Sequence, residues 1–114
     1  VRFLVSCKEY REEVIGEPIT IDQVPGETFA VHRTNIGAPS TMPYWTVTHV
    51  ETGFAVSHGD TIDFAIRQAR DSFATRDPEE IADRLGRARA MLAENKLKPI
   101  MQVPPEEYGD EDED

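Results

Sequence analysis

The chain has a single cysteine, Cys7, among 114 residues. An internal disulfide is therefore excluded, and one thiol in an apolar, strand-like setting is expected to behave as a small buried hydrophobe in a reducing compartment. Long apolar runs are also missing. None approaches the ~20 residues of a membrane-spanning helix, and Val1–Cys7 is too short an apolar stretch for a signal peptide, so a cytoplasmic protein is expected. There is no Walker-type loop, no G-x-G-x-x-G, no H-E-x-x-H, and no G-x-S-x-G around Ser6, Ser40, Ser57 or Ser72. Nothing assigns a cofactor, a metal or a catalytic residue. An acid–base pair assembled from distant residues is the one route to an enzyme left open.

Cations are absent from the last eleven residues, which hold seven carboxylates: Glu106, Glu107, Asp110, Glu111, Asp112, Glu113 and Asp114. The formal net charge of −10 is therefore mostly local, because residues 1–103 carry 15 acids against 12 Lys and Arg. A like-charged terminal run is expected to be disordered and solvated, and either to repel polyanions or to meet a basic partner. What precedes it is enough for one hydrophobic core. The expected organisation is a single domain over residues 1–98, then a proline-containing linker and acidic tail over 99–114.

The first sixty residues read as strands and turns. Phe3 and Val5 alternate with Leu4 and Ser6; Lys8–Glu13 is too polar to place, although Ser6 and Glu9 suit the cap of a short helix. Pro18–Ile21 is a short strand closed by the turn Val24-Pro25-Gly26, and Phe29–Thr34 is a stronger one. After a Gly- and Pro-broken loop, Tyr44–Val50 and Phe54–His58 flank Glu51-Thr52-Gly53 and predict a hairpin. Trp45, Val47, Phe54 and Val56 are expected on one covered face, with Thr46, Thr48 and Ser57 on a wet one.

Beyond Gly59 the period changes to 3.6. Asp60 is the expected cap of a helix with the stripe Ile62, Ala65, Ile66, Ala69 and Phe73. Asp77-Pro78-Glu79-Glu80 starts a second helix with the stripe Ile81, Leu85, Ala88 and Leu92, ending near Asn95; Leu85 and Leu92 are expected in the core. The fold class is α+β, an antiparallel sheet of three to four strands followed by two C-terminal helices packed on one face.

Two constellations have chemical interest. Arg84, Arg87, Arg89, Lys96 and Lys98 make the last helix basic, but on a helical wheel they divide between two flanks of the apolar stripe. Glu80 and Asp83 precede Arg84 and Arg87 by four, the favourable spacing for intrahelical pairs. The leading expectation is a solvated, self-paired helix; the alternatives are a phosphate-binding face and a dock for the acidic tail. The second is His32, His49 and His58. A tight hairpin register puts His49 and His58 together on the Trp45 face, whereas a bulge separates their faces. Packed histidines are expected, with a small enzyme or ligand site near Trp45 as the alternative. The loop at 35–43 adds a candidate contact surface of Ile36, Met42, Tyr44 and Trp45, the alternative being that Ile36 and Met42 tuck back onto the sheet edge.

The stretch Gly53-Phe54-Ala55-Val56-Ser57-His58-Gly59-Asp60-Thr61-Ile62, continuing to Arg70, resembles the strand-to-helix segment of HicB-like antitoxin domains. It departs from them at Val50–Gly53 and at Phe64. Trp45–His49 with Thr52-Gly53 is similar to small uncharacterised bacteriophage proteins. Together these resemblances imply a small protein that acts by binding another protein. The expected function is non-enzymatic protein–protein contact, in its sharpest form a phage or mobile-element inhibitor. Such an inhibitor would occupy a basic, nucleic-acid-binding surface through loop residues, Glu79, Glu80, Asp83 and the tail carboxylates. The rival reading is a nucleic-acid module built on the basic helix, with the tail as autoinhibitor.

Overall fold

The computed structural model describes residues 1–7, 9–35 and 41–100. Ile36 and the tail carboxylates from Glu106 to Asp114 lie outside the described residues. The strands are β1 (Arg2–Ser6), β2 (Arg11–Ile15), β3 (Glu17–Ile19), β4 (Phe29–Arg33), β5 (Trp45–His49) and β6 (Ala55–Gly59). The helices that follow are α1 (Ile62–Ala74), α2 (Pro78–Ala90) and the single turn α3 (Leu92–Asn95). β3 to β6 form an antiparallel four-stranded sheet in sequence order, and β1 and β2 form a separate antiparallel hairpin. The α+β architecture with helices after the sheet is thus as the sequence predicts.

One face of the four-stranded sheet carries the helices. Phe29, Val31 and Val47 project onto this face and meet Ala65, Ala69 and Phe73 of α1 and Ile81 of α2 in the main core. Alanines recur at the α1 contact, so the helix backbone lies close to the strands. α2 is less deeply seated. Ile81 is buried, but Leu85 and Leu92 are only partly buried, short of the core positions their spacing implies. The helix also breaks at Met91 instead of running on to Asn95. Asp77 caps α2 by backbone geometry, with Pro78 in the first turn, where a missing N–H costs nothing. For α1 the cap is Thr61, not Asp60: its Oγ1 accepts from the Phe64 amide at 3.1 Å.

The opposite face is not wet. The β1–β2 hairpin lies against it, packing Phe3 and Val5 on Ala30 with Val14, Val50 and Cys7 around them. His32, Thr46 and Thr48 are consequently 1–2% exposed. β2 is the strand that replaces the short helix suited to Ser6 and Glu9. Its sequence Arg-Glu-Glu-Val-Ile hides an apolar pattern behind charge, and Glu12 is itself buried. The chain returns to this hairpin at its far end: the Arg11 amide donates to the Pro99 carbonyl at 2.8 Å, and Ile100 bridges Arg11 in parallel.

The hairpin between β5 and β6 contains a bulge. Val47 opposes Ser57 and Thr48 opposes Ala55, so Val56 is the extra residue. Ser57 therefore sits on the helix face with Val47, not with the threonines as simple alternation implies, and its hydroxyl donates to the Ala65 carbonyl at 2.7 Å. Gly53 closes the hairpin at φ +76°, with its carbonyl accepting from the Ser6 amide at 2.8 Å.

A Cβ at Gly53 would lie 2.6 Å from the Leu4 carbonyl oxygen, whereas one at Gly26, also at positive φ, would meet nothing within 4 Å. Gly26→Ala should therefore cost about 1 kcal/mol from the left-handed backbone alone. Gly53→Ala should cost at least ~2 kcal/mol more, since it also displaces β1. Urea denaturation of both variants checks the difference, and equal losses would show that β1 does not pack on this turn.

Candidate functional sites: an aromatic sheet end and a histidine–carboxylate cluster

At one end of β5 the loop stem presents aromatic surface. Thr34 fixes the stem, its amide donating to the Tyr44 carbonyl at 2.7 Å and its hydroxyl to the Pro43 carbonyl at 2.5 Å. Tyr44 is 50% exposed, stands edge-on to Trp45 at 5.4 Å between centroids, and carries the Arg33 guanidinium 4.7 Å from its ring centre. Trp45 and Met42 are partly buried. Trp45 opposes Gly59, against which the first turn of α1 packs so closely that a Cβ there would be 2.8 Å from Cδ2 of Phe64. Phe64 and Ile62 thus join the same end of the sheet, 46% and 40% exposed. Asp60 and Asp63 flank them, both exposed. The sequence pattern singles out Met42, Tyr44 and Trp45, assigns Ile62 to the α1 stripe and leaves Phe64 outside that stripe; Gly59, opposite Trp45, is the residue that brings Phe64 in.

The three histidines do not form one site. The bulge puts His49 on the helix face and His58 on the hairpin face, the second of the two registers the sequence allows. His58 Nδ1 lies 3.0 Å from Thr46 Oγ1. His32 Nδ1 donates to the Arg33 carbonyl at 2.7 Å, so its Nε2 is left to accept from the Thr48 hydroxyl, also at 2.7 Å. Burial pushes the pKa values of both His32 and His58 down, keeping the rings neutral. Cys7 borders the same layer; burial, reinforced by the nearby Glu12 charge, pushes its thiol up and away from the reactive thiolate.

His49, at the other end of β5, belongs to a cluster drawn from four segments. Its Nε2 donates to Glu27 Oε1 at 2.7 Å, and its Nδ1 pairs with Thr52 Oγ1 at 2.8 Å. Arg89 of α2 then bridges Glu27 at 2.5 Å and Glu51 at 2.9 Å. The order hydroxyl, imidazole, carboxylate is that of a nucleophile with its base. Here, however, Thr52 is 3% exposed and its oxygen lies 3.4 Å from the Phe54 amide, so the arrangement braces the hairpin loop. Potential metal-ligand atoms of Glu27, His49 and Glu51 lie within 4.8 Å of one another. Arg89 already bridges the two carboxylates and balances one of their two charges, the place a cation would otherwise take. The His49 hydrogen bond, with help from Arg89, holds the Glu27 carboxyl below the usual carboxylate range.

The charged residues of α2 pair mostly with residues outside the helix. Asp83 pairs with Arg87, while Glu80 lies 3.8 Å from Arg76 instead of pairing with Arg84. Glu79 is exposed. Lys98 Nζ donates to the Cys7 carbonyl at 2.9 Å. Of the five cations proposed for a basic face, Arg89, Arg87 and Lys98 are engaged, and Arg84 and Lys96 remain exposed. Comparison with protein-family models, curated proteins and solved structures finds no match.

Two outcomes follow from the buried groups. Glu27→Ala removes the acceptor of a 2%-exposed histidine and should cost about 1–3 kcal/mol in urea denaturation; a neutral effect would mean that His49 finds water. Stability should also fall on acidification. His32 and His58 have folded pKa values below the ordinary 6.5, so between those values the unfolded chain binds more protons and the folded state weakens as pH drops below about 6.5. Glu27, likewise depressed, adds a further loss as pH falls below its ordinary 4.5. A thermal midpoint that stays flat from pH 7 to 5 would contradict the assignment of both histidines.

Proposed function

We propose that this chain acts by binding another protein through the aromatic end of its sheet, and that the partner presents an apolar surface ringed by Lys and Arg. The observation that supports this most directly is that half-exposed Tyr44, Phe64 and Ile62 share one end of the sheet with Trp45, with Arg33 stacked on the tyrosine. Tyr, Trp and Arg are the residues that most often dominate binding energy at protein interfaces. Asp60 and Asp63 beside them, and the overall charge of −10, favour a basic partner and fast association. An inhibitory or antitoxin-like action would follow if the basic surface so covered is one that otherwise holds phosphates. On this reading the contact carboxylates are Asp60 and Asp63, because Glu80 and Asp83 of α2 already face Arg76 and Arg87.

A photo-crosslinking residue in place of Tyr44 is expected to capture one basic protein that the same residue in place of Glu79 does not. Tyr44→Ala and Phe64→Ser should each weaken binding to that protein by ~30-fold, about 2 kcal/mol, with thermal midpoints nearly unchanged because both side chains are half exposed. Asp60→Lys with Asp63→Lys should slow association most at low salt. If Tyr44→Ala and Phe64→Ser bind the captured protein as the parent does, the sheet end is not the interface.

A further inference from the structure

A second surface is chemically distinct from the sheet end. Between the edge strand β6, the end of α1 and the middle of α2 lies a cleft of about 170 Å³. Its walls are apolar, formed by Val56, Phe73, Ile81, Leu85 and Ala88, and His49 with Thr52 closes one side. Two cations line it, Arg76 and Arg84, and no Asp or Glu does. Arg76 is held in place, its Nε donating to the Ser72 carbonyl at 3.1 Å and lying 3.3 Å from the Ser72 hydroxyl. Glu80 goes to Arg76 and not to Arg84, which makes no ion pair or hydrogen bond among the described residues. An apolar recess with a guanidinium lacking a partner is complementary to an amphiphilic anion.

We infer that this cleft binds a small carboxylate with a single ring or a body of similar size, the apolar part against Val56, Phe73 and Leu85 and the carboxylate on Arg84. The volume fits: a cavity of about 150 Å³ with aliphatic and aromatic walls accommodates benzene, leaving the carboxylate at the mouth. The guanidinium geometry also fits, since its planar fork receives a carboxylate through two parallel hydrogen bonds.

Phenylacetate and its near-isosteric neutral counterpart, 2-phenylethanol, are the probes. In amide-detected NMR titrations of the full chain, phenylacetate should give saturable shifts centred on Val56, Leu85 and Ala88. 2-Phenylethanol should shift the same residues with about tenfold weaker affinity. Arg84→Gln, at an exposed position, should remove that tenfold advantage while leaving the affinity for 2-phenylethanol unchanged. Inorganic phosphate, an anion without a ring, should leave Val56 and Leu85 unmoved. Absence of saturable shifts, equal affinity of the acid and the alcohol in the parent chain, or an Arg84→Gln chain that keeps the preference would each overturn the inference. So would phosphate shifts matching those of phenylacetate, which would reduce the cleft to a surface anion contact.

Discussion

The extra residue Val56 in the β5–β6 pairing decides which layer each later side chain serves. Side chains alternate along a strand, so adding one residue exchanges the faces of everything beyond it. Without the extra residue, the pairing of Thr48 with Ala55 would continue as Val47 with Val56 and Trp45 with His58, and His58 would enter the helix face. With Val56 inserted, Ser57 opposes Val47 and reaches the Ala65 carbonyl, while His58 turns to Thr46 on the other side. The Ser57 tie to α1, the place of His58 in the polar layer beneath the β1–β2 hairpin and the isolation of His49 from His58 all follow from this one shift.

That polar layer explains why the central strands do not look central. A strand buried on both faces usually reads as a continuous apolar run, whereas β5 reads Trp-Thr-Val-Thr-His. Thr46, Thr48, His32 and His58 are admitted to the interior because hydroxyls and imidazoles satisfy one another across the strands, avoiding the cost of unpaired buried polar groups. The helices and β4 to β6 were legible from periodicity, because in those segments the burying residues are apolar. The hairpin that covers the second face was not, because β2 buries Glu12 and spaces its few apolar residues among charges. Alternation that suggests a wet face is also compatible with a second cover whose own sequence looks solvent-exposed.

The candidate sites were legible in the same uneven way. Tyr44, Trp45 and Met42 announce themselves as aromatic and apolar residues beside a broken loop. Glu27 does not, because its partners His49 and Arg89 lie 22 and 62 residues away and no local spacing connects them. The i, i+4 rule was right for Asp83 with Arg87 and misplaced for Glu80. That carboxylate has Arg76 four residues before it as well as Arg84 four after, and Arg76 is already oriented by Ser72. Local rules name the possible partners; which one is taken depends on which side chain the fold has already fixed.

β5 carries both sites and keeps them apart. Trp45 begins the strand at the aromatic end, and His49 finishes it at the cluster and cleft, about 13 Å away at ordinary strand rise. The strand is paired on both sides and largely buried on both faces, a close-packed element of low compressibility that fixes the distance between the two ends. The neighbouring elements differ: α2 is seated mainly through Ile81 and held near its end by Arg89 on Glu27 and Glu51, a tie made at the surface and sensitive to salt. α1 joins the two ends as well as β5 does, lining the cleft with Phe73 and meeting the aromatic end through Phe64 beside Gly59, so both sites are built on the same helix and the same strand.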